Sequence, residues 1–290
     1  MSDAVLAVGE GLYELGLEGS VVREGFGGDA PNTAVMAARM GVVARIVGRV
    51  GDDELGRRLV AFWTSCGVSV DDIVVDPVRF TGIYVNRSGT DGAHRFDYHR
   101  SGSAGSALSL DDVVGVDTRG VAFVHYTGIG LSVSESSREA CEALARNAVG
   151  LVSFAANVRP RLTPDHERLR AAAAGANVVF LSTDDAVLLY GGVEAACDAL
   201  AAAELVVTDG EHRASVYLAG ERFDADPPRV EVVDSAGAGD ALAGAYLAAR
   251  ARGESPSVAL AQGVRAGALS CRFCGCAAGY PTSADVLAVA

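Results

Sequence analysis

The chain has 290 residues, half of them hydrophobic and 21% charged, with a mean hydropathy of +0.25. This composition supplies a large core and excludes a disordered chain, and α/β folds of this length often form one domain. A net charge of -13 disfavours binding to nucleic acid or to anionic membrane surfaces. No apolar stretch approaches the roughly 20 residues that span a bilayer, and Met1-Ser2-Asp3 lacks the basic region of a signal peptide, so we expect a cytoplasmic protein.

Short β-branched runs alternate along the chain with alanine-rich amphipathic segments. Helices are predicted at 31–40, 53–66 and 134–146, and a further helix with Thr163 as its cap and Pro164 at its first position. Strands are predicted at 4–9, 45–50, 122–126, 151–154, 178–181 and 205–207. Short apolar strands joined by helices favour an α/β fold in three layers, with a mostly parallel sheet covered on both faces.

Two regions interrupt this alternation. Residues 12–23 are glycine-rich, and residues 79–98 alternate residue types around a Ser88-Gly89 and Asp91-Gly92 turn, which predicts a hairpin. Strands without an intervening helix fit a small β appendage rather than the main sheet. We therefore expect a lid, built from these two regions and inserted in a single domain of residues 1–290.

The cysteines permit two interpretations. The last three of the six form C-x-x-C-x-C, which is compatible with a metal or redox site. No second C-x-x-C exists and no histidine lies close by in the sequence, so small residues packed on a helix and the following turn are favoured. The six positions are Cys66, Cys141, Cys197, Cys271, Cys274 and Cys276.

A glycine-rich turn within residues 232–244 joins a predicted strand to an apolar-periodic helix that ends at Gly253. Backbone N–H groups at such a helix start, together with the helix dipole, favour the binding of phosphate. Asp240 lies in the first turn, as a general base for a sugar hydroxyl or as an acid that complements the dipole. The segment lacks both the P-loop pattern and the third glycine of the dinucleotide-binding fingerprint.

Residues 234–240, with the sequence DSAGAGD, closely resemble the D-T-x-G-A-G-D motif of ribokinase-like (phosphofructokinase-B) sugar kinases. The resemblance implies that Asp240 is the catalytic base. It implies that the amides of Gly237, Ala238 and Gly239 form an anion hole for the transferring phosphoryl group. It further implies the ribokinase-like α/β/α sandwich with a small β-sheet lid, ATP and Mg²⁺ as cofactors, and K⁺ as a candidate monovalent cation.

Two N-terminal segments resemble the same family. Residues 25–41 match its G-G-x-x-x-N-x-A…L-G pattern, and residues 50–56 match V-G-x-D-x-x-G. The glycine pair allows the backbone to approach a ligand, and Asn32 offers both a donor and an acceptor to sugar hydroxyls. Gly28, Asp29 and Asn32 are therefore candidate substrate-binding residues, and the resemblance extends over essentially the whole chain.

The middle of the chain resembles the 2-keto-3-deoxygluconate kinases of this family. The matching segments are T-G-x-Y at 81–84, Y-x-R-x-x-S-A at 98–104 and N-x-R-P at 157–160. The resemblance implies contacts to the sugar from Gly28, Tyr84, Tyr98, Arg100 and Arg159. The two guanidinium groups suit recognition of a planar carboxylate, whereas packing within the hairpin is the alternative role of the two tyrosines.

The nucleotide site has weaker support, because the chain departs from the family there. Ala155 stands where the family has the aspartate of D-x-N-x-R, which predicts weakened magnesium positioning or turnover, and Thr208 stands where it has a lysine. Asp185 is the candidate metal residue. The residues that the resemblance places near ATP are Asn157, Arg159, Ser182, Thr208, Gly210, Gly237 and Gly239.

The expected function is ATP-dependent phosphorylation of the terminal hydroxyl of a small acidic sugar, in the first place 2-keto-3-deoxygluconate to its 6-phosphate. Two alternatives remain open at this point. One is a kinase for fructose, ribose or a nucleoside, and the other is a sugar-binding or regulatory homologue with impaired catalysis. The resemblance also implies pairing through the lids, so we expect a homodimer or a higher homo-oligomer.

Overall fold

Fourteen strands are present in the computed structural model, which describes residues 3–18, 21–88 and 94–289. Ten of them form one sheet and four form a second, smaller sheet. In chain order the strands are β1 (Ala4–Val8), β2 (Leu12–Glu18), β3 (Val21–Gly27), β4 (Ala44–Gly51), β5 (Val68–Ser69), β6 (Ile73–Asp76), β7 (Ile83–Ser88), β8 (His94–His99), β9 (Val121–Thr127), β10 (Leu151–Ala155), β11 (Val178–Ser182), β12 (Glu204–Thr208), β13 (Ala214–Leu218) and β14 (Glu221–Ala225).

The large sheet has the order β14-β13-β12-β11-β10-β9-β1-β4-β5, with β6 also paired to β4. Its strands are parallel from β12 to β5, and only β13 and β14 are antiparallel to their neighbours. The helices are α1 (Asp29–Arg39), α2 (Glu54–Ser65), α3 (Leu110–Val113), α4 (Glu135–Arg146), α5 (His166–Ala174), α6 (Thr183–Tyr190), α7 (Val193–Ala199), α8 (Ala238–Ala251), α9 (Pro256–Ser270) and α10 (Ser283–Ala288).

The large sheet has a hydrophobic core on each face, which gives the three layers that the sequence predicts. The central strand β1 is entirely buried. Its Val5 and Ala7 belong to the core under α1, α2, α8 and α9, whereas Leu6 and Val8 belong to the core under α4 to α7. Side chains that alternate between two buried faces require the continuous apolar sequence of this strand.

The small sheet has the order β3-β2-β7-β8. Both regions that interrupt the α/β alternation contribute to it, as predicted, but the first one extends through Gly27 as two full antiparallel strands. Strands β7 and β8 form the predicted hairpin, and residues 89–93 of its turn lie outside the described residues. The glycine-rich stretch around Gly25 is therefore part of a strand that leads directly into α1.

The predicted start of α5 was wrong. The helix begins at His166 and its cap is Asp165, whose Oδ1 accepts a hydrogen bond from the N–H of Arg168 at 3.0 Å. Thr163 is buried, and its hydroxyl accepts a hydrogen bond from the N–H of Arg159 at 2.7 Å and donates to the Arg159 carbonyl at 3.0 Å. The hydroxyl closes a loop and is not available to cap a helix.

The other predicted strands and helices are confirmed within two residues at either end. The antiparallel hairpin of β13 and β14 was not predicted, because its short strands are partly exposed and lack a continuous apolar run. Among the described helices, none combines the length and the apolar composition that a bilayer-spanning segment needs.

Helices α1 and α8 pack in direct backbone contact at Gly244. A Cβ atom at Gly244 would lie 2.4 Å from the carbonyl oxygen of Thr33 and 2.7 Å from Cβ of Met36. Since neither a backbone carbonyl nor a buried Cβ atom can move aside cheaply, only glycine allows this approach. The contact places the start of α8 beside the start of α1, although the two helices come from opposite ends of the chain.

We expect Gly244→Ala to lower the free energy of unfolding by about 1–3 kcal/mol, because the added methyl group pushes the two helices apart. Urea denaturation followed by circular dichroism measures the change. Gly115→Ala is the matched control, since a Cβ atom there meets no atom within 4 Å. Equal unfolding midpoints for the two variants would contradict the proposed helix contact.

Candidate active site

A cavity of about 1270 Å³ lies between the carboxyl ends of the parallel strands and the small sheet. Open α/β sheets bind ligands at this edge, because the loops that follow their strands converge there. The cavity gathers the predicted substrate and catalytic residues from the whole chain, namely Gly28, Asp29, Asn32, Tyr84, Tyr98, Arg100, Asn157, Arg159, Gly237, Ala238, Gly239 and Asp240.

The glycine-rich turn before α8 is held rigidly in place. Gly237 adopts a left-handed conformation with φ of 78°, and its carbonyl accepts a hydrogen bond from the Tyr280 hydroxyl at 2.7 Å. The buried carboxylate of Asp234 accepts hydrogen bonds from the N–H groups of Ala236 at 2.9 Å and Gly275 at 3.0 Å. The Ala238 N–H donates within the turn to the Ser235 carbonyl at 3.2 Å, so these contacts hold a helix start, which favours an anion, at the cavity wall.

Asp240 belongs to a small polar cluster beside this turn. Its Oδ2 accepts a hydrogen bond from Nδ2 of Asn32 at 2.9 Å, and Nδ2 of Asn157 donates to Oδ2 of Asp29 at 3.1 Å. Burial first, and then the like charge of Asp29, raise the pKa of Asp240 to about 7, although Asn32 and Arg159 act in the opposite direction. A carboxylate with a pKa near neutrality can accept a proton from a hydroxyl group.

Asn157 has a backbone conformation that few side chains tolerate. Its φ is 44°, in the left-handed region that asparagine adopts more readily than most residues. The residue follows Ala155 at the end of β10, where the sequence predicts a missing carboxylate. Ala155 is buried, and its carbonyl accepts a hydrogen bond from Gly128 N–H at 2.9 Å. Because Ala155 has no polar side chain, the hydrogen bond from this strand end to the carboxylate of Asp29 comes from Asn157.

The two tyrosines of the hairpin differ in their surroundings. Tyr84 is buried, and its hydroxyl donates to Oε2 of Glu14 at 2.8 Å and lies 3.5 Å from Sγ of Cys276. Tyr98 is 51% exposed, and its ring centroid lies 5.7 Å from that of Tyr84. Packing thus accounts for much of the Tyr84 side chain, whereas Tyr98 keeps a free face towards the cavity.

The arginines also differ. Arg100 forms an ion pair with Glu10, with 2.5 Å between Nη2 and Oε2. Arg159 and Arg161 are exposed at the cavity rim, and no carboxylate within 4 Å pairs with either of them in the described part of the chain. The cavity is therefore lined both by the carboxylates of Asp29 and Asp240 and by the guanidinium groups of the loop after β10, and the charge of Arg159 lowers the pKa of Asp240.

The remaining predicted nucleotide residues lie outside the cavity lining, at the ends of β11 and β12. Ser182 and Thr208 are neighbours in the sheet register, and Gly210 follows with φ of 55°. The oxygens of Asp185 accept hydrogen bonds from the N–H groups of Val158 and Ser182, each at 3.0 Å. Asp185 thus joins two strand ends, and its metal role remains a prediction.

Glu10, Arg161 and Cys276 are among the residues of the cavity wall that sequence reasoning missed. The position of Glu10 just after the buried strand β1 was an available signal. Cys276 had no such signal, because C-x-x-C-x-C directs attention to metals. Across residues 3–18, 21–88 and 94–289, no group of three or more histidine, cysteine, aspartate or glutamate side chains could hold a metal ion, and the cysteines are free.

A glycine-rich helix start whose N–H groups favour an anion, with a carboxylate in its first turn at the wall of a cavity, is typical on this three-layer fold of enzymes that transfer a phosphoryl group to a small molecule. The model of the pfkB family of carbohydrate kinases matches residues 4–283. The chain belongs to this family, because the match covers nearly its whole length. It is accordingly a sugar kinase.

The individual relatives are sugar kinases by name, but their names specify different sugars. The chain is 36% identical over 255 residues to 2-dehydro-3-deoxygluconokinase of Thermoproteus tenax, covering 83% of this chain and 78% of that one. It is 30% identical over 233 residues to probable fructokinase-4 of Arabidopsis thaliana, covering 76% and 72%. The crystal structure of fructokinase with bound ATP from Xylella fastidiosa superposes with a TM-score of 0.87 at 25% identity, covering 99% and 98%.

We expect the Asp240 carboxyl to titrate near pH 7, and Asp29→Asn to lower its pKa. Removal of the neighbouring negative charge stabilises the ionised form of Asp240, so the proton leaves at lower pH. NMR spectra of protein labelled with ¹³C at the aspartate carboxyl carbons measure the titration, and Asp240→Asn identifies the signal.

Asp226→Asn is the matched control, because Asp226 is exposed and pairs with Arg213 at 2.8 Å on a distant strand edge. It should leave the titration of Asp240 unchanged. An Asp240 signal that titrates near pH 4 in the unaltered protein would contradict the described environment.

Proposed function

We propose that the protein transfers the γ-phosphoryl group of ATP to the terminal hydroxyl of a small acidic sugar, 2-keto-3-deoxygluconate in the first place, to give its 6-phosphate. The observation that carries the proposal is the polarity of the cavity. The carboxylate of Asp240 beside the helix start lines the same cavity as the guanidinium groups of Arg159 and Arg161, with which no described carboxylate forms an ion pair. A sugar acid spans such a cavity with its hydroxyl near Asp240 and its carboxylate near the arginines.

Asp240 is the proposed general base. With a pKa near 7 it is substantially ionised at neutral pH and accepts the hydroxyl proton as the oxygen attacks the γ-phosphate. The amide of Asn32 donates a hydrogen bond to Oδ2 of Asp240, so the other carboxylate oxygen of Asp240, Oδ1, can take the proton. Such a base contributes a factor of about 10²–10⁴ to the rate.

The start of α8 is the proposed anion hole. Phosphoryl transfer depends on positioning and on stabilisation of the charge on the equatorial oxygens. The N–H groups of Gly237, Ala238 and Gly239 are preorganised by the bonds from Tyr280 and to Asp234, so little reorganisation accompanies transfer. A Cβ atom at Gly239 meets nothing within 4 Å, which leaves room for phosphate.

Mg²⁺ enters as part of the MgATP substrate. Both oxygens of Asp185 are occupied by backbone N–H groups, and the described residues hold no acidic metal cage. This donor set fits a magnesium ion held mainly by phosphate oxygens and water, as is usual for this ion. The ion would offset charge on the phosphates. A monovalent cation, closure of the small sheet as a lid over the cavity, and dimerisation remain further predictions.

Fructose is the alternative substrate, because fructokinases are also among the relatives of the chain. A neutral ketose has no group that needs unpaired arginines at the cavity rim. The greater identity to a 2-dehydro-3-deoxygluconokinase supports the acid. A binding protein without catalysis is disfavoured by the family and by the retained carboxylate beside the helix start.

We expect Asp240→Asn to lower kcat by about 10²–10⁴ while the dissociation constants for the nucleotide and the sugar change by less than about threefold. The amide keeps the shape and the contact to Asn32 but cannot accept the proton. Coupled-enzyme assays and calorimetry measure the two quantities. Asp226→Asn should behave as the unaltered protein, and a fully active Asp240→Asn variant would exclude the carboxylate as base.

We expect kcat/KM to be at least about tenfold higher for 2-keto-3-deoxygluconate than for fructose or ribose, and Arg159→Gln to remove most of this preference. A charge-assisted contact to the carboxylate is lost in the variant, whereas the neutral sugars lose little. A panel of sugars assayed with MgATP measures the ratios. Preference for fructose in the unaltered protein would reject the acidic substrate while leaving the sugar-kinase assignment intact.

A further inference from the structure

Glu10 is a buried carboxylate in the cavity wall that the proposed mechanism does not use. The residue follows β1 and is only 4% exposed. Its Oε2 lies 2.5 Å from Nη2 of Arg100, and its Oε1 accepts a hydrogen bond from the hydroxyl of Ser103 at 2.6 Å. Both Glu10 and Arg100 line the cavity, so their pairing bears directly on the ligand site.

The space around Glu10 is shaped by glycines. A Cβ atom at Gly105 would lie 2.3 Å from Cγ of Glu10, and one at Gly82 would lie 2.9 Å from its Oε1. Side chains are therefore missing at the two positions where they would displace the carboxylate. The chain leaves room for a glutamate at this point of the wall, with Ser103 and Arg100 as its partners.

The charge of Arg100 is compensated inside the protein. Burial raises the pKa of Glu10, and Asp29 at the start of α1 adds to the effect, whereas the charge of Arg100 and the hydrogen bonds from Ser103 and Arg100 lower it. A buried carboxylate without a cationic partner is costly or takes up a proton. Arg100 is the partner that offsets this cost, so it adds little net charge to the cavity.

Arg159 has the opposite surroundings. It is exposed at the rim, and within the described residues no carboxylate lies within 4 Å of its guanidinium group. Its backbone N–H donates to the Thr163 hydroxyl at 2.7 Å, and its charge lowers the pKa of Asp240 without forming an ion pair to that carboxylate. The two arginines of the predicted acid site are therefore electrostatically unequal.

We propose that Glu10 is a positioning residue that holds the Arg100 guanidinium against the cavity wall and cancels its charge. Arg100 then donates hydrogen bonds to uncharged oxygens of the sugar, and Arg159 supplies the charge that selects a carboxylate. The second part rests on the proposed acidic substrate, whereas the pairing of Glu10 with Arg100 does not.

The first test compares 2-keto-3-deoxygluconate with 3-deoxyfructose, in which a hydroxymethyl group replaces the carboxylate. The measured quantity is the ratio of kcat/KM for the acid to that for the ketose. Arg100→Gln should lower both values by similar factors and leave the ratio within about threefold of the original. Arg159→Gln should lower the ratio by about tenfold or more.

Glu10→Gln is the decisive variant, because it keeps the size and the contact to Ser103 but leaves Arg100 with an uncompensated charge. We expect it to raise the acid-to-ketose ratio by at least about threefold. A residue with a merely structural role would lower both values and leave the ratio unchanged. A ratio that stays constant or falls in Glu10→Gln, or that falls about tenfold in Arg100→Gln, would overturn the proposal.

The second test is a double-mutant cycle of melting temperatures, which keeps the proposal testable if a variant is inactive. Arg100→Gln leaves Glu10 buried without its cation and should lower the melting temperature by about 5 °C at pH 8. Glu10→Gln/Arg100→Gln should recover most of this loss. The loss should shrink as the pH is lowered to 5.5, because burial raises the pKa of the lone carboxyl, which then takes up a proton more readily and opposes folding less.

Equal melting of the single and double variants at pH 8 would show that Glu10 does not depend on Arg100. If the unaltered protein phosphorylates the ketose but not the acid, the acidic substrate is rejected. The melting cycle and the effect of Arg100→Gln on the ketose then still decide whether Glu10 holds Arg100.

Discussion

The contact between α1 and α8 is the constraint on which the site depends. The two helices meet at Gly244 closely enough that any side chain would strike the backbone of α1. Through this contact Asn32, near the start of α1, reaches the carboxylate of Asp240 at the start of α8. The turn proposed to bind anions and the helix start proposed to bind sugar hydroxyls are about two hundred residues apart in the sequence, and this contact makes them parts of one cavity.

The cavity combines compensated and uncompensated charges. Glu10 and Arg100 form an ion pair in the wall, while the charge of Asp29 disfavours ionisation of Asp240 and raises its pKa. At the rim, no described carboxylate forms an ion pair with Arg159 or Arg161, although the charge of Arg159 lowers the pKa of Asp240. Such local positive groups are what would allow a protein with a net charge of -13 to bind the proposed anionic sugar and the nucleotide.

Most of the fold could be predicted because each buried strand is apolar along its whole length and each helix is periodic. The failures have specific causes. Thr163 resembles a helix cap in sequence, but its hydroxyl is already engaged by the backbone of Arg159 in the folded loop. Packing was the favoured role of the cysteines, but the place of Cys276 in the cavity wall, 3.5 Å from the Tyr84 hydroxyl, was missed. In both cases a tertiary contact, which has no local pattern, decides the role.

The sequence by itself determined the three-layer architecture, the anion-binding turn before α8 and the set of residues that meet in the cavity, because these follow from local periodicity and short motifs. Only the tertiary structure decided which charges are free to act. Arg100 and Arg159 look equivalent in the sequence, yet the buried Glu10 just after β1 forms an ion pair with Arg100, whereas none of the described carboxylates forms one with Arg159. The strength with which a charged side chain interacts with a ligand depends on its burial and on its neighbours in space. Neither can be read from the sequence alone.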